Sequence, residues 1–150
     1  MLQFRAATKT DLPKVIRLLA DDPLGKGRER FEVPLPAAYV EAFQAMLGQD
    51  GNRLIVAIED QNIVGCLQLV IIPGLSHLGT TRGQIESVRV ERNSRGKGVD
   101  EALFRHAFEL AREAGCGLVQ LTTDKARPDA RRFYERLGFV DSHIGMKLAL

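Results

Sequence analysis

Apolar residues recur along this chain at two periods, one near 3.6 and one of two, and the switches between them outline the secondary structure. Leu2 to Ala6 reads as a short strand, after which Leu12, Val15, Ile16 and Leu19 fall at i, i+3, i+4, i+7 behind Thr10 as a cap, predicting an amphipathic helix. The run from Asp21 to Arg28 breaks both periods with a proline and two glycines and predicts a loop, mobile enough to serve as a substrate lid. A second helix is predicted over about Pro36 to Gly48, with Val40, Phe43 and Leu47 on one stripe. Arg53 to Ile58 and Ile63 to Ile72 are β-rich runs on either side of the turn Glu59-Asp60-Gln61-Asn62, and Pro73-Gly74 ends the second. That pattern predicts an antiparallel hairpin.

A polar link containing His77 and Arg82 leads into an alternating run, Gln84 to Val90. The glycine-rich turn Arg95-Gly96-Lys97-Gly98-Val99 follows, then a helix from Asp100 to Ala114 with Gly115 as its stop. Leu118 to Thr123 is the next predicted strand. The helix after it has Pro128 in its first turn, a stripe of Ala130, Phe133, Tyr134 and Leu137, and Gly138 at its end. A final strand is predicted from Phe139 towards Leu150. The order β-α-α-β-β-β-α-β-α-β predicts an α/β chain of the α+β mixed-sheet kind with about four flanking helices. Its first half is antiparallel, and one right-handed crossover from Gln84 to Thr123 joins two parallel strands.

Length and composition narrow the class. A chain of 150 residues, 45% hydrophobic, is long enough for one well-buried core, and residues 1–150 read as a single domain. The formal charge of +2, from 21 basic and 19 acidic residues, is too balanced for a bulk nucleic-acid or anionic-membrane binder. Cys66 and Cys116 lie in apolar surroundings at no metal-ligand spacing and read as small buried hydrophobes in a reducing compartment. His77, His106 and His143 share no ligand spacing either, so no metal is expected. His106 falls mid-helix and reads as structural, whereas His77 and His143 are candidates for lining a substrate pocket. Met1-Leu2-Gln3-Phe4-Arg5 carries no signal-like apolar core and no run is long enough to span a bilayer, so a soluble cytoplasmic protein is expected.

The chemistry concentrates at the glycine-rich turn. Free N–H groups at a helix N-terminus converge on an anion, the helix dipole favours negative charge there, and glycine lets the backbone approach closely, so this turn predicts a phosphorylated ligand. Arg95-x-x-Gly98-x-Asp100, preceded by Val88-Arg89-Val90 and followed by Ala130-x-x-Phe133-Tyr134-Glu135-x-x-Gly138-Phe139, resembles the GNAT superfamily of N-acetyltransferases over essentially the whole chain. The resemblance implies acetyl-CoA as donor and a direct transfer in a ternary complex. The pyrophosphate would lie on the backbone of Arg95, Gly96, Lys97, Gly98, Val99 and Asp100, with side-chain help from Arg95 and Lys97. It further implies a bulge in the fourth strand that opens a slot, with pantetheine pairing along Val88, Arg89 and Val90. Tyr134 would be the acid that protonates the departing thiolate. Glu86, directly or through a water, would be the base, where partial burial would suit it to the role, with Ser87 and water as the fallback.

Two positions depart from the family pattern. Asp100 stands where the motif has Gly or Ala; at about 6 Å and an effective dielectric near 20 its charge would repel a bound phosphate by roughly 2 to 3 kcal/mol, while its carboxylate competes for the same N–H donors. Arg127 stands where many members have Asn, and reads equally as a ligand contact or a solvated residue. The C-terminal part is similar to small-molecule members, notably aminoalkylphosphonate N-acetyltransferases. That similarity implies a small primary amine bearing an anionic group, with Arg28, Arg30 and Arg82 as candidates to recognise it. The alternatives are a protein lysine or N-terminal acetyltransferase, and a non-catalytic CoA-binding module with a donor site weakened by Asp100. A homodimer is implied by the resemblance alone.

Overall fold

A computed structural model describes residues 1–150 and shows one five-stranded mixed sheet. The strands β1 (Gln3–Ala6), β2 (Asn52–Glu59), β3 (Asn62–Ile72), β4 (Thr81–Val90) and β5 (Cys116–Gln120) lie side by side in chain order. The first four are antiparallel and the β4–β5 pair is parallel, as the crossover demands. Four helices cover the sheet: α1 (Leu12–Ala20), α2 (Ala37–Leu47), α3 (Val99–Glu113) and α4 (Pro128–Arg136). No helix is long and apolar enough to cross a membrane.

The inner strands are buried on both faces, so neighbouring residues feed different cores. Ile55, Ala57, Leu67, Leu69 and Ile85 face α3 and pack on Val99, Leu103, Phe104 and Ala107, with Phe133, Tyr134 and Leu137 of the α4 region alongside. Val56 and Cys66 face the other way, onto Leu12, Val15 and Leu18 of α1 and Phe43 of α2. Burial pushes the Cys66 thiol up to about 12, which makes it an inert core group. His106 is likewise structural, stacked on Phe4 with ring centroids 4.7 Å apart.

Several elements differ from the sequence expectation. The turn before α1 is capped by Thr8 and Asp11 rather than by Thr10: the Thr8 N–H donates to Asp11 Oδ2 at 2.7 Å, and Arg5 reaches the same carboxylate at 2.6 Å. A charged, doubly bonded carboxylate outcompetes a threonine hydroxyl for that place. On α2, Met46 packs inward while Leu47 is exposed. β4 starts at Thr81, and β5 occupies Cys116–Gln120, not Leu118 to Thr123, because only that stretch has a β4 neighbour to pair with.

The predicted final strand is absent. Residues 140–150 pair with no strand, the Ser142 N–H instead donating to the Val140 carbonyl at 2.9 Å, and Val140, Ile144, Met146, Leu148 and Leu150 stand almost wholly in solvent. They have the alternation of a strand, but alternation cannot make one without a neighbour to supply the ladder of hydrogen bonds.

Candidate acyl-transfer site

The site is made by a register fault in β4. Cys66 pairs with Arg89 and Gln68 with Glu86, which leaves Ser87 and Val88 together opposite Leu67 alone. This is a β-bulge, and Ser87 accommodates it at φ 54°. Two consequences follow from the extra residue. Pairing between β4 and β5 ends at Gln84–Gln120, so residues 85–90 have no strand beside them on that edge. Side-chain parity also flips: Ile85 faces the α3 core, and after the bulge Val88 and Val90 do so, while Arg89 turns to the α1 side. The bulge and slot expected from the resemblance are both present.

At the far end of β4, the turn 95–98 delivers the chain into α3 through Gly98 at φ 82°, a left-handed conformation that suits glycine. The N–H groups of Gly96, Lys97 and Gly98 donate to nothing within the protein. A Cβ built on Gly96 or Gly98 would meet no atom within 4 Å, so the cradle is open and an anion can reach those donors. Val99 contributes only backbone, since its side chain is buried under β3. Asp100 lies in the first turn of α3, where its Oδ1 accepts from the Glu101 N–H at 2.8 Å and so takes up one of the free donors at the helix N-terminus, next to the cradle. Pyrophosphate therefore fits the turn, with Lys97 exposed beside it.

Arginine side chains occupy the edge where pantetheine would pair. Arg89 Nη1 donates to the Val88 carbonyl at 2.8 Å and Arg95 Nε to the Val90 carbonyl at 3.1 Å. The segment 21–28, expected to be a mobile lid, is instead tied down here. Asp22, 6% exposed, receives both Arg127 nitrogens at 2.7 and 2.6 Å and the Gly25 N–H at 3.0 Å, with Arg89 Nη2 at 3.8 Å. Those bonds, Arg127 first, hold the Asp22 carboxyl down to about 2, and burial only partly opposes them. Asp21 pairs with Arg92 at 2.8 Å, and its carbonyl accepts from Arg95 at 3.0 Å. Arg127, partly exposed, is thus engaged by Asp22 rather than fully solvated. It fixes the start of α4 to the loop after α1.

Tyr134 lies on α4, about two turns beyond that anchor. Its ring packs edge-on against Phe104 and Phe139 at 5.6 and 6.0 Å. Burial raises the phenol above its usual range, partly offset by Arg127 and Arg89, while Asp100 raises it further. The hydroxyl is therefore protonated at neutral pH and able to donate. The structure gathers Tyr134, Arg89, Arg127 and Asp100 in one neighbourhood.

Glu86 stands apart from that group. It is exposed, accepts from Gln84 Nε2 at 3.4 Å, and lacks the partial burial expected for it. Before the bulge, the even positions of β4 look towards the α1–α2 side and form a polar shelf. Arg82 donates to Gln120 at 3.5 Å, Gln120 donates to Gln84 at 2.7 Å, and Gln68 opposite Glu86 donates to Asn52 at 2.9 Å. Of the arginines proposed for an anionic group, Arg30 is taken by Glu32 at 2.8 Å, whereas Arg82 and Arg28 have no carboxylate partner. His77 sits in the exposed turn before β4 and His143 in the exposed tail, bonded to Ser142 at 2.7 Å, so neither lines the shelf. No group of three or more His, Cys, Asp or Glu is placed to hold a metal.

Sequence reasoning missed Asp21 and Asp22, whose partners lie 71 and 105 residues away. The only local signal was a pair of acids inside a loop whose Gly25 admits no side chain, a Cβ there falling 2.0 Å from the Leu19 carbonyl.

A sheet split by a bulge, with an anion cradle at the crossover helix and a protonated tyrosine beside the slot, defines an acyl-CoA-dependent transferase of amines. The chain belongs to the acetyltransferase (GNAT) family, whose model matches residues 15–139. It is 30% identical over 148 residues to the aminoalkylphosphonate N-acetyltransferase of Salmonella typhimurium, covering 99% of this chain and 91% of that one. A crystal structure from Bacillus halodurans C-125, described as a transcriptional regulator, matches with TM-score 0.97 and 48% identity over 100% of both chains. A putative acetyltransferase from Agrobacterium tumefaciens matches with TM-score 0.86 and 31% identity over 99% of both.

Proposed function

We propose that this protein transfers an acetyl group from acetyl-CoA to the primary amine of a small polar molecule that also bears an anionic group. The observation that carries the reading is the Ser87 bulge, which puts a free strand edge between an anion cradle on one side and a polar shelf on the other.

The Gly96, Lys97 and Gly98 amides bind the pyrophosphate, Lys97 adds charge, and the edge Val88–Val90 offers backbone to pantetheine once Arg89 and Arg95 release its carbonyls. Acetyl-CoA supplies an acyl group at the thioester level of activation. Glu86, directly or through a water, takes the proton that leaves the attacking amine, and Tyr134 gives its proton to the departing thiolate. On the shelf, Arg82 meets the anionic group, and Gln84, Gln120 and Gln68 satisfy the remaining polar atoms. The similarity to an aminoalkylphosphonate acetyltransferase supports this class of acceptor.

The test combines thermal shift with thiol release. Acetyl-CoA is expected to raise the melting temperature, since a ligand selective for the folded state must do so. Aminoalkylphosphonates and phosphorylated amino sugars are expected to release CoA faster than neutral amines or lysine peptides. No stabilisation at millimolar acetyl-CoA would overturn the donor site. Binding with turnover only on peptides would move the function to protein acetylation, and binding with no turnover at all would leave a CoA-binding module.

A further inference from the structure

We propose that the acceptor is an elongated amine, with about six or more bonds between its nitrogen and its anionic group and hydroxyls along the way, and that Arg82 is the residue that sets this length. This length rests on the reading in which the amine loses its proton at Glu86 and the anionic group meets Arg82.

Glu86 and Arg82 stand on the same face of β4, four residues apart, which puts about 13 Å between their Cα atoms. The arginine side chain closes only part of that gap. Its Nη1 donates to Gln120 Oε1 at 3.5 Å, and Gln120 is the β5 residue in register with Gln84, so the guanidinium leans about two residues towards Glu86 and stops there. A line of carboxamides covers the remainder: Gln120 Nε2 donates to Gln84 Oε1 at 2.7 Å, and Gln84 Nε2 to Glu86 Oε1 at 3.4 Å. With those two side chains between them, the cation and the carboxylate are held at least about 7 Å apart.

An extended chain advances about 3.4 Å for every three bonds, the length of one residue. A two-carbon aminoalkylphosphonate has three bonds from nitrogen to phosphorus. With its amine at Glu86, its phosphonate would lie against the neutral amide of Gln84 and fall short of Arg82. About six bonds reach the guanidinium. No nearer cation on β4 is free to shorten the span: Arg89, beyond the bulge, donates to the Val88 carbonyl at 2.8 Å and lies 3.8 Å from Asp22, whereas Arg82 has only a neutral partner.

The stretch between the two ends is neutral and rich in donors and acceptors. Besides Gln84 and Gln120, it has Gln68, which faces Glu86 across the β3–β4 pair and donates to Asn52 at 2.9 Å. Hydroxyl groups both donate and accept, so they can replace these amide–amide bonds one for one, which a bare alkyl spacer cannot. Leu118, in register with Arg82 and 41% exposed, gives the carbon skeleton a surface to lie on. The class indicated is a phosphorylated amino polyol or amino sugar rather than a short aminoalkylphosphonate.

The test is thiol release from acetyl-CoA with ω-aminoalkylphosphonates of increasing chain length, beside ω-amino alcohols of the same lengths. kcat/KM is expected to rise about 10-fold or more above the two-carbon member and to peak at about five to eight carbons, with no such peak among the alcohols. Arg82→Ala is expected to remove the peak, and Arg82→Lys, which returns a cation to the same end of the shelf, to restore much of it. A chain of equal length that carries hydroxyls and ends in phosphate is expected to exceed the plain one. A maximum at one or two carbons, a profile that the alcohols share, or a peak that survives Arg82→Ala overturns the proposed length and leaves acetyl transfer to anionic amines standing. Equal rates for hydroxylated and plain chains overturn the polar spacer. Release of CoA with no member at any length overturns the length and the proposed function together. If a variant fails to fold, the wild-type length profile decides.

Discussion

The two halves of the site are built from different materials. The donor half is mostly backbone: three unoccupied amides at 96–98 and an unpaired edge at 85–90, both set by turn and bulge geometry. The acceptor half is mostly side chains, contributed by Asn52, Gln68, Arg82, Gln84, Glu86 and Gln120 on four different strands. A backbone device tolerates almost any local sequence that keeps its glycines, whereas a shelf of side chains changes with each substitution. The difference teaches why one scaffold can keep one donor while accepting many amines.

That contrast can be broken by substitutions that should act on one half only. The largest effect is expected for Tyr134→Phe, which removes the proton donor while keeping the ring against Phe104. Turnover should fall by about 10²- to 10⁴-fold with acetyl-CoA affinity unchanged by calorimetry. Next is Asp22→Ala, which joins the halves by stranding Arg127 and the already under-satisfied Arg89. Loss of a buried partner should cost about 3 to 5 kcal/mol in urea unfolding.

The same carboxylate has a pH signature. The folded carboxyls of Asp22 and Asp11 lie at about 2 against an ordinary 3.8, so each stabilises the fold above about pH 4 and loses that contribution as pH falls towards 2. Each is worth about 2 kcal/mol, and acid unfolding of Asp22→Asn should be correspondingly shallower. Arg82→Ala should raise KM for an anionic amine by roughly 10-fold or more, the worth of one charge-assisted bond, and leave acetyl-CoA binding alone. The smallest effect is expected for Asp100→Ala. Because that carboxylate is turned onto the Glu101 N–H, acetyl-CoA should bind tighter by only about 10-fold, at the cost of a first-turn acidic charge worth about 0.3 to 1 kcal/mol to the helix. Equal dissociation constants for parent and variant would show that Asp100 leaves the cradle undisturbed.

Legibility in the sequence followed the same division. The glycine turn, the strand before it and the helix after it announce themselves in contiguous residues, and so did the donor half. The bulge at Ser87 leaves a trace in the run itself, where two polar residues, Glu86 and Ser87, separate Ile85 from Val88 and the apolar positions change from odd to even, but only the register against β3 identifies the extra residue. Asp22 could not be read because its meaning lies in Arg127 and Arg89, remote in sequence. The tail departs from its pattern for the opposite reason: its period is that of a strand, but a strand is a property of two neighbours, and the pattern of one segment names only one of them.

Ser87 acts on β4 as a frame change acts on a text. Upstream of it the even letters, Arg82, Gln84 and Glu86, are addressed to the acceptor; downstream the even letters, Val88 and Val90, are addressed to the core beneath the donor, and Arg89 takes over the other face. A single strand thereby carries two messages that can be edited separately. Deleting that one residue would not merely straighten the strand but would deliver every later side chain to the wrong side of the sheet.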